Sequence, residues 1–459
     1  MPNVKEVVDE DKIWKILKDT KKNYSEKIIE KILEKALKKN GLSLEEVGYL
    51  LHTEKPELIE KMFATSGKIK DEIYGERLVF FAPLYLSSFC VNNCDYCGFH
   101  VSNKEPRKKL SLEEVQAQVK ILEDMGHKRL LLEFGEHPTE NPIDYVVDVI
   151  KTIYKTKSNK GEIRRVNVNI AATTVENYHK LKEAGIGTYQ LFQETYHKET
   201  YQKLHHGPKA DYERQLFAPD RAFEAGIDDV GLGVLYNLFD YKFDTLALIS
   251  HSQYLDKKYN VGPHTISVPR FQPAPTVNID LPHKINEDQL LKIISILRMA
   301  VPYTGMIIST RENPETREKA FKIGISQTSA ASRTTPGGYG KKEALQQFFL
   351  QDHRNLEEII ESVLKQGLLP SFCTACYRLN RTGENIMKLI KGGKIHDLCR
   401  PNAILTFKEY LEDYASTSVK KLGIEIADQY LEEISDPGIK KETRDRLKRI
   451  EKGERDLYF

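Results

Sequence analysis

The sequence predicts an α/β protein: a full (β/α)8 TIM barrel with helical N-terminal and C-terminal extensions. Three observations predict it. Eight short, β-rich apolar runs follow one another from about residue 77: RLVFFAPLYL, KRLLLEF, RRVNVNIAA, TYQLFQE, DDVGLGVLY, HTISVPRF, MIIST and ISQTS. Helical patterns stand between them, as at Ser111–Met125, Val175–Ala184 and Glu287–Val301. Strands alternating with helices in this way favour a parallel sheet closed on itself, a unit that takes about 250 residues.

Taken in order, residues 1–75 read as a helical segment. In SEKIIEKILEKALKKNG the apolar positions recur at helical spacing, with Ser25 as N-cap and Gly41 as the stop. Ser43 with Glu46, and Ser111 with Glu114, have the spacing of capping boxes. The barrel is expected over 76–340, and a mainly helical domain over 341–459. The closing stretch KKETRDRLKRIEKGERDLYF is so charged that it is expected to fray.

Charge excludes some partners. Lys+Arg 69 against Asp+Glu 67 leaves +2, so no global field marks a nucleic acid or an anionic membrane. No apolar run approaches the ~18 residues of a membrane span, and MPNVKEVVDEDKIWKILKD lacks the features of a secretory signal. The expected compartment is the cytoplasm. In its reducing medium, clustered thiols bind metal more often than they form disulfides.

The chain has six cysteines, and they fall into two triplets. Cys90, Cys94 and Cys97 follow the first strand in FCVNNCDYCGFH, at the barrel mouth where such folds do chemistry. Three thiolates can hold three irons of a [4Fe–4S] cube and leave the fourth open to a chelating substrate. A zinc site closed by His100 is the alternative, although zinc prefers CxxC-type knuckles. Cys373, Cys376 and Cys399 form the second triplet, CxxC-x22-C. With a three-and-three split, neither triplet completes a four-thiolate cluster. Either His396 completes a Cys3His zinc site, or a second iron–sulfur cluster sits here with one iron open.

CVNNCDYC after a first barrel strand resembles the signature of the radical S-adenosylmethionine (SAM) superfamily. CTACYR, then RTGE and a cysteine 22 residues on, together with HTISVPR, QETYHKETYQKLHHG and SQTSAASRTTPGGY, is similar to the tyrosine lyases that mature [FeFe]-hydrogenase. The likeness runs from about residue 75 to 415. The thiamine-thiazole tyrosine lyases share the barrel motifs but lack the second triplet.

The resemblance implies two [4Fe–4S] clusters, SAM on the open iron of the first, and an additional labile iron on the second. It implies a radical-SAM barrel in which Tyr96, Gly135, Glu136 and Glu194 line the SAM site, and His264, at the start of the sixth strand pattern, ligates the labile iron. Such enzymes cleave the Cα–Cβ bond of L-tyrosine to p-cresol and dehydroglycine. They then convert dehydroglycine to CO and cyanide at the second cluster for assembly of the hydrogenase cofactor. The implied partners are L-tyrosine, SAM, cysteine as an iron ligand, a ferredoxin or flavodoxin as electron donor, and other hydrogenase maturases. Tyrosine needs a cation for its carboxylate, and a planar guanidinium suits it. Arg311, which ends the seventh strand, is the expected partner, with Ser329 beside it and Arg333 and Arg270 in reserve. Two other functions remain open: a lyase that stops at dehydroglycine, as in thiazole synthesis, and a non-catalytic iron–sulfur scaffold or carrier.

Overall fold

The computed structural model describes residues 3–158, 161–340, 345–393 and 395–459; the boundary expected at 340/341 lies outside them. All eight predicted strands form: β1 (Arg77–Ser87), β2 (Arg129–Phe134), β3 (Arg165–Asn169), β4 (Tyr189–Gln190), β5 (Val230–Gly233), β6 (Thr265–Ser267), β7 (Gly305–Ile308) and β8 (Gln327–Ser329). Each pairs in parallel with the next, and β8 pairs back to β1 through Val79↔Gln327 and Phe81↔Ser329, closing the barrel.

Alternation along β1 sorts its side chains into two environments. Leu78, Phe80, Ala82, Leu84 and Leu86 join the main apolar core beneath the outer helices. Phe81, Pro83 and Tyr85 instead line a cavity within the barrel. The predicted helices fall within a residue of expectation at Leu112–Asp124, Val175–Glu183 and Glu287–Ala300, and both capping boxes form. Ser25 occupies its N-cap position without making a side-chain cap bond.

The N-terminal helices pack on the outer helices. Lys292 Nζ donates to Leu51 O and Thr53 O at 3.2 and 3.0 Å, and Lys70 Nζ donates to Phe321 O at 3.2 Å.

One strand was unforeseen, and one expectation needs correction. A ninth strand, β9 (Leu369–Ser371), pairs in parallel with Arg77–Val79, so the C-terminal part of the chain adds to the barrel sheet below β2. The closing stretch does not fray. Pro437–Glu451 is a helix, and the residues after it are pinned: Arg381 Nη1 donates to Phe459 O at 3.0 Å, and Phe459 N donates to Asn402 Oδ1 at 2.8 Å. Its charges are spent on partners such as Asp413, which takes two bonds from Arg455 at 2.5 and 2.7 Å.

Candidate functional site

The barrel mouth is built from strand ends. Glu133, Asn169, Ser309 and Ser329 stand at the C-terminal ends of β2, β3, β7 and β8, and all line one cavity. Arg311 lines it too, with its guanidinium 3.3 Å above the centre of the Phe348 ring. Burial lowers the Arg311 pKa from the ordinary arginine value, against the pull of Tyr85, Glu194 and Glu133. Ser329 is fixed from behind. Fully buried Arg317 pairs with Asp352 and donates to Ser329 O at 2.6 Å and Thr328 Oγ1 at 2.7 Å. Breaking such a pair costs ~3–5 kcal/mol, so Ser329 sits on a rigid support.

Arg333 is not among the residues lining this cavity, although Ser332 and Thr334 are; its Nη1 donates to Ser332 O at 2.8 Å. Arg270 is committed to Glu312, its Nε lying 3.1 and 3.0 Å from the two carboxylate oxygens.

A second compartment shares the wall formed by Tyr96, Cys97, Glu133, Asn169 and Glu194, and extends to Cys90, Cys94, Gly135 and Glu136. Gly135 is required there, because a side chain would collide with the Phe89 carbonyl. The cysteine loop is clamped to the segment containing KLHHG: Asn93 N donates to His206 O at 2.9 Å and Asp95 N to Leu204 O at 3.1 Å. Tyr96 OH lies 2.7 Å from His205 Nε2.

Each glutamate has a cation. Arg214 Nη2 donates to Glu136 Oε1 and Lys209 Nζ to Glu194 Oε1, at 2.6 and 2.7 Å respectively. Burial works to lower the Lys209 pKa, but Glu194 and its neighbours outweigh it and hold it above the lysine range. Asn92 Nδ2 donates to Glu136 Oε2 at 2.6 Å and lies 3.8 Å from Cys90 Sγ. Sequence reasoning missed Asn92, Lys209, Arg214 and Glu133. Burial pushes Glu133 up to about 8. The signals in the sequence were that Asn92 lies inside the cysteine motif and that Lys209 directly follows the KLHHGP run.

The second triplet rims another cavity, at the opposite end of the barrel. It is lined by Cys373, Cys376 and Cys399 together with His264, Arg77, Arg129 and Gln327, all of which stand at N-terminal strand ends. His264 directly precedes β6, and that position, far from the mouth, is what brings it to the thiols. Its Nδ1 lies 3.6 Å from Asp229 Oδ1 and its Nε2 3.3 Å from Tyr377 OH.

The zinc alternatives find no support. His100 spends its ring nitrogens on Asn93 Oδ1 and Thr276 Oγ1 at 3.2 and 3.1 Å, and His396 lines a separate surface cavity with Arg400 and Glu433. All six thiols are free, and among the described residues no three His, Cys, Asp or Glu side chains form a single-ion site. Burial raises Cys94, Cys373 and Cys376 above the usual thiol range and Cys97 to about 11, so metal binding at either triplet must displace protons. Three soft donors around a cavity suit a polynuclear iron–sulfur cluster with one open iron.

Comparison with known proteins agrees with this geometry. The radical SAM superfamily model matches residues 84–246, and the biotin and thiamin synthesis associated domain matches 267–369. The crystal structure of HydG, a maturase of the [FeFe]-hydrogenase, is 54% identical, with a TM-score of 0.97, covering 99% of this chain and 100% of that one. The chain belongs to the HydG family. HydG from Carboxydothermus hydrogenoformans is 40% identical at TM-score 0.86 over 97% of this chain and all of its own. The 2-iminoacetate synthase of Salmonella typhimurium is a more distant relative, 33% identical over 72% of this chain and 86% of its own. Membership makes this a radical SAM tyrosine lyase of the HydG type, which implies a [4Fe–4S] cluster and SAM. No helix among the described residues is long and apolar enough to cross a membrane.

Proposed function

We propose that this enzyme cleaves L-tyrosine to p-cresol and dehydroglycine at the mouth of the barrel and converts dehydroglycine to CO and cyanide at the base, for hydrogenase cofactor assembly. One observation carries the reading: two thiol triplets rim cavities at opposite ends of one barrel. The reading gives the first reaction to the barrel, 76–340, and the second cluster to the domain 341–459. Reduced cytoplasmic thiols, and electrons from a ferredoxin or flavodoxin, belong to the same reading.

At the mouth, Cys90, Cys94 and Cys97 would hold a [4Fe–4S] cluster; with SAM bound and reduced, it supplies a hydrogen-abstracting 5′-deoxyadenosyl radical. Glu136 and Gly135 would meet the methionyl amine of SAM, and Tyr96 and Glu194 would line the wall shared by SAM and substrate. Arg311 and Ser329 hold the tyrosine carboxylate, with Phe348 fixing the plane of the guanidinium. That leaves Glu133 facing the reacting half of the substrate. Arg333 has no part in this arrangement.

At the base, Cys373, Cys376 and Cys399 would hold a second cluster and His264 a labile iron, with a free cysteine as a further ligand; this site supplies open metal coordination for a small ligand. The chemistry balances, since dehydroglycine, HN=CH–COOH, contains the atoms of CO, HCN and water. Dehydroglycine passes through the barrel interior, which excludes water from a hydrolysable imine.

The reconstituted protein, incubated anaerobically with SAM, tyrosine and dithionite, is expected to release p-cresol, CO and cyanide. p-Cresol without CO or cyanide would identify a lyase that stops at dehydroglycine. No p-cresol at all would leave a carrier.

A further inference from the structure

We propose that the guanidinium groups of Arg77 and Arg129, at the base of the barrel, form a receptor for the carboxylate of a two-carbon α-imino or α-amino acid. This deepens the proposed function and rests on it, because it names what the second site must orient.

Arg77 opens β1 and Arg129 opens β2, and both line the cavity that holds the second thiol triplet. Arg129 is 6% exposed. Its Nη2 donates to Cys373 O at 2.7 Å, and its Nε has no partner. Arg77 Nε is likewise buried and unpartnered, and no oxygen of the described residues accepts a hydrogen bond from Arg77. Its guanidinium lies 5.2 Å from the centre of the Tyr74 ring, hydrogen-bonds the Cys399 thiol and acts electrostatically on Cys399 and Cys373, so that Nε is the donor left over.

A structural arginine in the same barrel behaves differently. Arg298 sends Nε and Nη2 to Gly324 O at 3.1 and 2.7 Å, and Nη1 to Pro302 O and Thr304 O, both at 2.8 Å. Arginine carries five N–H donors, and burying them unmet is unfavourable. Arg77 and Arg129 leave theirs beside a cavity instead.

That cavity has no aspartate or glutamate among its described lining residues. Asp229, outside that lining, faces His264 and accepts from Gly383 N at 3.2 Å. The thiols account for part of the positive charge. They do not account for the planar N–H fork, which matches a carboxylate in geometry. Dehydroglycine has one permanently anionic group, its carboxylate. Holding that group would turn the imine carbon toward the metal site and keep it from diffusing out.

The test uses the full chain with both clusters reconstituted and iron counted. The EPR signal of the second cluster is titrated with glycine, the saturated analogue, and with methylamine, which lacks the carboxylate. In the parent protein glycine should perturb the signal and methylamine should not. Arg129→Gln should weaken the glycine response at least 10-fold, and Arg129→Lys should restore part of it. Turnover should then show CO per p-cresol falling about 10-fold in Arg129→Gln, with glyoxylate and ammonia rising to match.

Arg77→Gln is expected to behave alike, and if it loses iron the Arg129 pair still decides. Gln variants that bind glycine as tightly as the parent, at an unchanged CO to p-cresol ratio, overturn the receptor. So does a parent protein that responds equally to methylamine. A parent that makes p-cresol but no CO refutes the second half of the proposed function, while the glycine titration still decides the receptor.

Discussion

Glu194 is held in the left-handed region, at φ 69°, a conformation unfavourable for any side chain but glycine. It is kept there by Lys209 and by a bridge to Val234, so its carboxylate stays on the wall shared by the two mouth compartments. Arg311 occupies the opposite part of this site, and its stacking on Phe348 fixes the plane of its fork. Arg311→Lys keeps the charge and loses the fork, together with a charged hydrogen bond worth ~1.5–3 kcal/mol. The KM for tyrosine, measured from initial rates of p-cresol release at saturating SAM, should rise about 10- to 100-fold, with kcat less affected. An unchanged KM would remove Arg311 from carboxylate binding. At this scale the grouping of the six cysteines into two triplets was legible in their spacing, which left zinc and an iron–sulfur cluster both open at the second. Arg311 and Ser329 were legible because a strand end fixes where a side chain points. Lys209 and Arg214 were not, since they act through glutamates distant in sequence. Arg77 and Arg129 were not either, since an arginine at the start of a strand reads as a surface charge until the strand is seen to open onto a cavity.

The eight barrel strands were legible because apolar alternation and helical spacing differ in period. Their lengths were not. TYQLFQE has seven residues of strand character, yet β4 keeps only Tyr189–Gln190, since the chain turns at Glu194 to build the mouth. β9 was missed because LPS is three residues long with a proline in the middle, and it pairs only as an edge strand. The closing stretch misled through its charge, which suggested solvent and instead supplies partners. Arg378, two residues after Cys376, donates to Asp456 Oδ2 at 2.5 Å and stacks 4.1 Å over Tyr458, and Arg381 holds Phe459. Residues 456–459 thus strap the loop that presents Cys373 and Cys376. On the proposed function, deleting them should cost the second triplet its cluster, about four irons per chain, while p-cresol is still formed. Iron and sulfide counts on the reconstituted deletion check this; a full count with normal CO release would show that the loop holds itself.

One barrel carries a lined cavity at each end, and the proposed function gives the two ends different chemistry. Inward-facing residues along the same strands line both cavities: Phe81 and Val79 on β1, Leu131 and Arg129 on β2, Ser329 and Gln327 on β8. The layer between them is narrow and partly polar. Gln190 Nε2 donates to Thr265 Oγ1 at 3.2 Å, and Phe81, Leu131 and Ile307 pack together beside them. Glycines set the free width. A Cβ on Gly305 would stand 2.5 Å from Gln327 Nε2 and 3.2 Å from His264 O. The first of these atoms ends a flexible side chain, so Gly305→Ala should fold and should push Gln327 toward the barrel axis. If dehydroglycine crosses the interior, the variant makes p-cresol at a rate within about 2-fold of the parent, because the mouth is untouched, but yields less CO per p-cresol and more glyoxylate. Both products are counted in one anaerobic turnover, with the iron content of the variant measured beforehand to show that the second cluster is intact. A CO to p-cresol ratio equal to the parent's would mean that the intermediate leaves by the mouth and returns through solvent. The two ends of the barrel would then be neighbours in the chain without being consecutive in the reaction.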